Sequence, residues 1–348
     1  MAKKVTIYTL SKELDVSPAT ISKALNNSPE LNAQTAAMIR NKAAEYGFKP
    51  RPVVTHVKNI CALIQTPNAL MDCLSPFTVE VIHGMKEYLH SNDLELSLFS
   101  DETEKLNSGS LLRQLGRRNI HGAVLINTSK ESLFYDELDA NRFPYCSLLS
   151  NSEKNTRNLL TIDYKDASFR AIEYLIQLGH RKIATIVSPI RSVSSQLKLE
   201  GYKKAFQKNG ITLDEKLILI PDKIQDEQTP YGLGIGHSNT LELFKNRLDV
   251  TALFMMSERI AVGAMHALNQ LNLTIPSQVS LLTFDDTPEA PYLNPPLTVM
   301  RIPNRKLGYA AARWVHQMIL GQNKQKNIHE PWMRGELVIR DSTAPARK

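Results

Sequence analysis

The 348-residue chain is 42% apolar and 22% charged, with 15 glycines and 18 prolines, which excludes a disordered, collagenous or membrane-embedded polypeptide. Its length allows two or three domains, each with its own core. The formal charge is +7, and residues 1–58 hold nine Lys and Arg against four Asp and Glu, so +5 of that excess sits in one short segment suited to a polyanion. Ile7, Leu10 and Leu14 recur at three- and four-residue steps, which predicts an amphipathic helix with one buried face. A polar turn, Leu14-Asp15-Val16-Ser17, leads to a second helix over Pro18 to Asn26. Ser17 takes the N-cap and Pro18 the first helical position, where an N–H would be unpaired anyway. Ile21 and Leu25 give this helix an inner face, and Ala19, Thr20, Ser22 and Lys23 an outer one. Asn32 opens a third helix patterned by Thr35, Met38, Ile39 and Ala43, which Gly47 ends. Three short helices around a small core, with the second turned outward, are the arrangement of a helix-turn-helix DNA reader. The alternative is a plain three-helix bundle with a solvated polar face, and the local charge weighs against it.

VTIYTLSKELDVSPATISKALNNSPELNAQT followed by EYGFKPRP resembles the headpiece of the LacI/GalR family of bacterial transcription regulators. The resemblance continues in order through SPFTVEVIHGMKEYL, IQLGHRKIATI, EGYKKAFQKNGI, TALFMM, IPSQVSLLTFDDTPEAPYLNPPLTVMRIP and ELVIRDSTAP. It implies an all-α helix-turn-helix headpiece over 1–48, a hinge over 49–58, and an α/β effector-binding and dimerisation domain over 59–348. That domain would have the type I periplasmic-binding-protein fold, two parallel-sheet subdomains with a ligand between them. One would take about 59–159 and 291–322, the other about 160–290 and 323–348, with crossovers near 159–161, 288–292 and 321–327. The function implied is a dimeric, ligand-responsive repressor on a pseudo-palindromic operator, not an enzyme.

In the linker FKPRPVVTHVK, the prolines push the residues before them away from helix. The resemblance implies a hinge helix that forms on the operator and wedges a leucine into the minor groove. Val57 holds that position here, among β-branched neighbours that form helices poorly. From Asn59 onward, short apolar runs alternate with helical patterns, which by itself predicts parallel sheets with crossover helices. Strands are expected at NICALIQ, LELSLFS, HGAVLIN, PYCSLL, LLTID, RKIATIV, Lys216–Ile220, TALFMM and QVSLLTF. Helices are expected over Thr78–His90 with Val79, Ile82, Met85 and Leu89 inward, and over Leu106–Arg117, Ala167–Leu178, Glu200–Asn209, Thr240–Lys245 and Ile260–Leu271.

On the reader, Pro18, Ala19 and Lys23 occupy base-facing positions, Tyr8, Thr20, Ser22 and Asn26 suit phosphates, and Thr6 and Ser17 are expected among the DNA-binding residues. In the larger region, ligands of open α/β sheets bind beyond the carboxyl ends of strands. Asp285 and Asp286 follow one such end, and as neighbours on an extended chain they face opposite ways, so they do not form an acid–base pair on one bond. The resemblance assigns the cleft to Asp285, with Tyr231 and Phe77 as aromatic walls. It places Lys198 where an arginine is usual, Ser257-Glu258 where Asn-Asp is usual, and Leu149 where an aspartate is frequent. The effector would be a sugar or another metabolite.

Cys61, Cys73 and Cys146 form no CxxC pair and read as core residues of a reducing cytosol. YGLGIG lacks the strand and spacing of a phosphate loop, His329-Glu330 lacks a second zinc-binding histidine, and His180 reads as a structural turn residue. No cofactor, metal or membrane partner is expected. A solute-binding protein would need an export signal, which MAKKVTIYTLSKEL does not provide. A dinucleotide-dependent enzyme would need GxGxxG early in the sheet, and NICALIQTPNALMD has none.

Overall fold

The computed structural model describes residues 6–25, 31–46, 48, 59–65, 75–101, 111–126, 134–148, 158–187, 193–221, 232–322 and 333–347. Two compact units, Met1–Val57 and Lys58–Lys348, divide the chain. In the first, α1 (Ile7–Leu14), α2 (Pro18–Leu25) and α3 (Ala33–Glu45) enclose Leu10, Ile21, Ala24, Ala36, Ile39 and Ala43. Thr6 and Thr9 cap α1 reciprocally, and Asp15 ends it in the left-handed conformation at φ 51°. On α3 the inward line is Ala36-Ile39-Ala43, whereas Met38 is 46% exposed. A helix buries one stripe, and Ile39 already fills the place beside Met38.

The second unit is built on two sheets. The first has the order β2-β1-β3-β4-β5, all parallel, from β1 (Asn59–Gln65), β2 (Glu95–Asp101), β3 (Ile120–Ile126), β4 (Tyr145–Leu148) and β5 (Leu159–Leu160). Three helices intervene, α4 (Pro76–His90), α5 (Leu111–Arg117) and α6 (Phe134–Ala140). On α4 the buried residues are Thr78, Val81, Gly84, Met85, Tyr88 and Leu89; of the expected inward residues Met85 and Leu89 are among them, Ile82 packs against the core half-buried, and Val79 is half-buried. After α7 (Tyr164–Gln177), the second sheet assembles as β11-β10-β9-β8-β6-β7. Its strands are β6 (Ile183–Ile186), β7 (Ile218–Leu219), β8 (Ala252–Met255), β9 (Ser280–Phe284), β10 (Thr298–Arg301) and the antiparallel β11 (Glu336–Val338). Its further helices are α8 (Val193–Lys208), α9 (Leu233–Asn246) and α10 (Glu258–Gln270), and α11 (Asn304–Ile319) packs on α4, β3 and β4 of the first sheet. β4, β6, β8 and β9 are buried throughout, which is why they read as mainly apolar runs, interrupted only by the small polar residues Ser147, Thr185, Ser280 and Thr283, rather than as alternating ones.

The chain passes between the sheets after Leu160, between Arg301 and Asn304, and between Ile319 and Glu336. The middle passage differs from the expected 288–292. Thr298–Arg301 pairs in parallel with β9, so residues up to 301 stay with the second sheet, and only α11 returns to the first. The assignment of all of 291–322 to the first subdomain is corrected accordingly.

The last residues are fastened to the second subdomain. Ser342 Oγ donates to Leu281 O at 2.6 Å, Thr298 N donates to Ser342 Oγ at 2.8 Å, and Ala346 N donates to Leu178 O at 2.8 Å. His180 locks this strap: its Nε2 lies 3.0 Å from Ala344 O and 3.1 Å from Ser280 Oγ, and its Nδ1 lies 2.9 Å from Thr251 Oγ1. Burial holds its pKa below the ordinary value, the Arg181 charge adds to this, and the Ala344 carbonyl opposes it. The folded pKa thus lies under the unfolded ~6.5, so neutral His180 supports the fold above that pH and the support is lost as pH falls. Urea midpoints should therefore drop more between pH ~7.5 and ~5.5 in the wild type than in His180→Gln. Equal drops would remove His180 from this role.

Candidate functional site

The small unit presents α2 as its reading element. Ser17 Oγ accepts from Thr20 N at 3.1 Å and lies 2.8 Å from Thr20 Oγ1, so the N-cap read in the sequence is formed. Ile21 and Ala24 are fully buried, and this fixes the rotation of the helix: Pro18, Ala19 and Lys23 are exposed, with Thr20 and Ser22 at the margin. None of the eight residues of α2 is acidic. Tyr8 is 72% exposed on α1. Thr6 is also exposed, but its hydroxyl already serves as a helix cap, a role that the Thr-x-x-Thr spacing could have shown. Asn26 and Val57 lie outside the described residues.

In the large unit, polar groups gather where the strands of the second sheet end. Lys198, on α8, is only 8% exposed, and its Nζ donates to Met256 O at 2.8 Å just beyond β8. The ammonium stands 4.2 Å from the Phe284 ring centre and 5.1 Å from that of Tyr164, so aromatic faces take the place of part of its water shell. Burial pushes the Lys198 pKa down, and the Asp285 carboxylate opposes that shift. Asp285 follows β9 with φ 71°, a left-handed turn that sets it apart from the strand line, and it keeps a partly accessible edge. Desolvation raises its pKa against the Lys198 charge and a hydrogen bond from Asn304. Since Asn304 opens α11, that bond ties the second sheet to the helix returning to the first.

Asp286 turns the other way. Its carboxylate is clamped by Arg301 at 2.7 Å and by Arg340 at 2.8 Å, a structural use of the second acid. Glu258, at the start of α10, is 5% exposed and accepts from both the backbone N–H and the hydroxyl of Thr287, so it holds the loop after Asp286. Burial raises its pKa, and the Thr287 bonds oppose this. Ser257 caps α10 without a side-chain capping bond, which leaves its hydroxyl at the strand end. The structure thus brings Lys198, Asp285 and Ser257 to neighbouring strand ends. Phe77, half-buried at the start of α4, belongs to the first subdomain. Tyr231 and Leu149 lie outside the described residues. Tyr164, Phe284 and Asn304 went unread in the sequence, because an aromatic at a strand end and an asparagine after Ile-Pro look like ordinary packing and capping residues.

A family described as a periplasmic binding protein-like domain matches residues 172–343. The HTH-type transcriptional regulator DegA of Bacillus subtilis is 24% identical, covering 98% of this chain and 99% of its own. The HTH-type transcriptional repressor PurR of Photobacterium profundum is also 24% identical, covering 97% and 98%. The lac repressor dimer bound to operator and the anti-inducer ONPF has the same fold, with a TM-score of 0.77 at 21% identity over 98% of this chain and 100% of that one. Over nearly its whole length the chain is similar to transcription regulators of the LacI/GalR family. Among the described residues no helix is long and apolar enough to cross a membrane.

The buried charges give a direct test. Lys198 and Asp285 each compensate the other, so Lys198→Met and Asp285→Asn each leave one buried charge without its partner and should each cost about 3–5 kcal/mol in urea denaturation. The double variant should lose well below the sum of the two, and an additive loss would mean that Asp285 does not compensate Lys198.

Proposed function

We propose that this protein is a sequence-specific DNA-binding transcription regulator whose affinity for its operator is set by a small molecule bound at the strand ends of the larger unit. The observation that carries the reading is α2: a capped helix with no carboxylate, rotated by Ile21 and Ala24 so that Pro18, Ala19 and Lys23 face outward. Such a helix presents its N-terminal residues to base edges in a major groove, and one headpiece reads too few base pairs for specificity alone. The chain therefore works as a homodimer on a pseudo-palindromic site, with Thr6, Tyr8, Ser17, Thr20, Ser22 and Asn26 toward phosphates. Val57 in the linker takes the minor-groove position. Repression is the mode, and the cytoplasm is where such a regulator works. A solute-binding role for the larger unit alone leaves the headpiece without a purpose.

The effector contacts are Lys198, Asp285 and Ser257, with Phe77 and Tyr231 as apolar walls. Lys198 can donate and Asp285 accept, a pairing that suits a ligand hydroxyl, which does both. A sugar or a comparable polar metabolite fits that chemistry. It would bind one closure state of the subdomains better than the other, and that difference alone limits the size of the switch.

Genomic fragments retained by the purified chain on filters provide the operator. On it, Lys23→Ala should cost ~1–3 kcal/mol of binding and relax preference at one base pair per half-site. An equal loss on all sequences would make Lys23 a phosphate contact. Asp285→Asn should keep operator affinity and lose the response to any metabolite that shifts the wild type's melting point. A normal response in that variant would displace the effector site.

A further inference from the structure

Helices α9 and α10 meet at glycines. A Cβ on Gly236 would fall 2.0 Å from Ile260 O, and one on Gly263 would fall 2.0 Å from Leu233 O, so only hydrogen fits and the two backbones lie in direct contact. Side chains next to these glycines are therefore presented at a fixed separation. Two of them are histidines: His237, adjacent to Gly236, and His266, one turn beyond Gly263. Their rings stack with centroids 5.0 Å apart and planes at 29°. His237 Nε2 lies 2.8 Å from Gln270 Oε1, and His266 Nε2 lies 3.3 Å from Gln270 Nε2. Both ring nitrogens thus face the same side-chain amide, which stands one helical turn beyond His266.

We propose that His237 and His266 form a binding site for one divalent transition-metal ion of the zinc, nickel or copper class, and that Gln270 is the group the ion displaces. Imidazole nitrogens bind such ions at ~2.0–2.1 Å, and with the ring centre ~1.2 Å further out, two rings on a tetrahedral ion have centroids ~5 Å apart. The observed centroid spacing matches that distance, a turn of the rings out of their stack about the Cβ–Cγ bonds aims both Nε2 lone pairs at one ion, and the contact between the helices keeps the two side chains within reach. Two neutral imidazoles select borderline ions over magnesium or calcium, which take oxygen ligands. Among the described residues no third His, Cys, Asp or Glu joins the pair, so water completes the coordination and the site stays open. A bound ion would cross-link α9 to α10 in the second subdomain. Lys198 and Asp285 take no part in it.

Zinc chloride titrated into the full chain at neutral pH, followed by calorimetry, tests the proposal. The wild type should take up one ion per chain through this pair. His237→Ala and His266→Ala should each weaken that event at least ten-fold, while Gln270→Ala should bind as tightly as the wild type or more tightly. Affinity unchanged in His266→Ala, or lost in Gln270→Ala, would overturn the proposal. Copper-loaded wild type read by electron paramagnetic resonance gives an answer that does not depend on the folding of any variant. Two coupled nitrogens from one site support the pair, and one nitrogen or none contradicts it.

Discussion

Parallel strands buried on both faces can carry polar chemistry only where they end. β8 is apolar, β9 carries only Ser280 and Thr283 as polar residues, both are fully covered, and each emerges into hydrogen-bonding groups: the Met256 carbonyl and Ser257 after one, Asp285 and Asp286 after the other. The remainder of the second subdomain is arranged around that edge. Lys198 reaches it from α8, Glu258 closes the loop behind it, and Arg301 and Arg340 absorb the charge of Asp286, which leaves Asp285 to Lys198 and Asn304.

The edge is also where the two subdomains are tied. Asn304 begins the helix that returns to the first sheet and donates to Asp285, so the carboxylate proposed to take the effector already holds a hydrogen bond across the middle passage. In the proposed function, a ligand hydroxyl drawn to Asp285 would act on the residue that joins the sheets. That gives a physical route from occupancy to closure without a chain of intermediates, since both groups address the same atoms.

Much of this was legible in the sequence because local chemistry and tertiary use agree there. Ser17-Pro18 is a helix start wherever it is placed, and QVSLLTFDD reads as a buried strand running into a polar end. Legibility failed where one surface was decided by another. The face of α4 depends on α11, so Val81 and Tyr88 are buried while Val79 and Ile82 are only half-buried at its margin. The middle passage was placed too early because the Pro-rich stretch after Asp286 looks like a boundary, whereas β10 still pairs with β9. Asn304 and Tyr164 became candidates only once Asp285 and Lys198 were seen beside them, since neither residue belongs to a recognisable spacing.

The central claim is that the outward face of α2 enters a major groove in two symmetry-related copies. Dimethyl sulfate protection on a duplex retained by the full chain reads this directly, because it reports guanine N7 on the major-groove edge. The account predicts two protected half-sites with centres one helical turn apart, or a multiple of it, related by two-fold symmetry. A single protected patch, or a bound duplex with every guanine N7 as reactive as in free DNA, would contradict it.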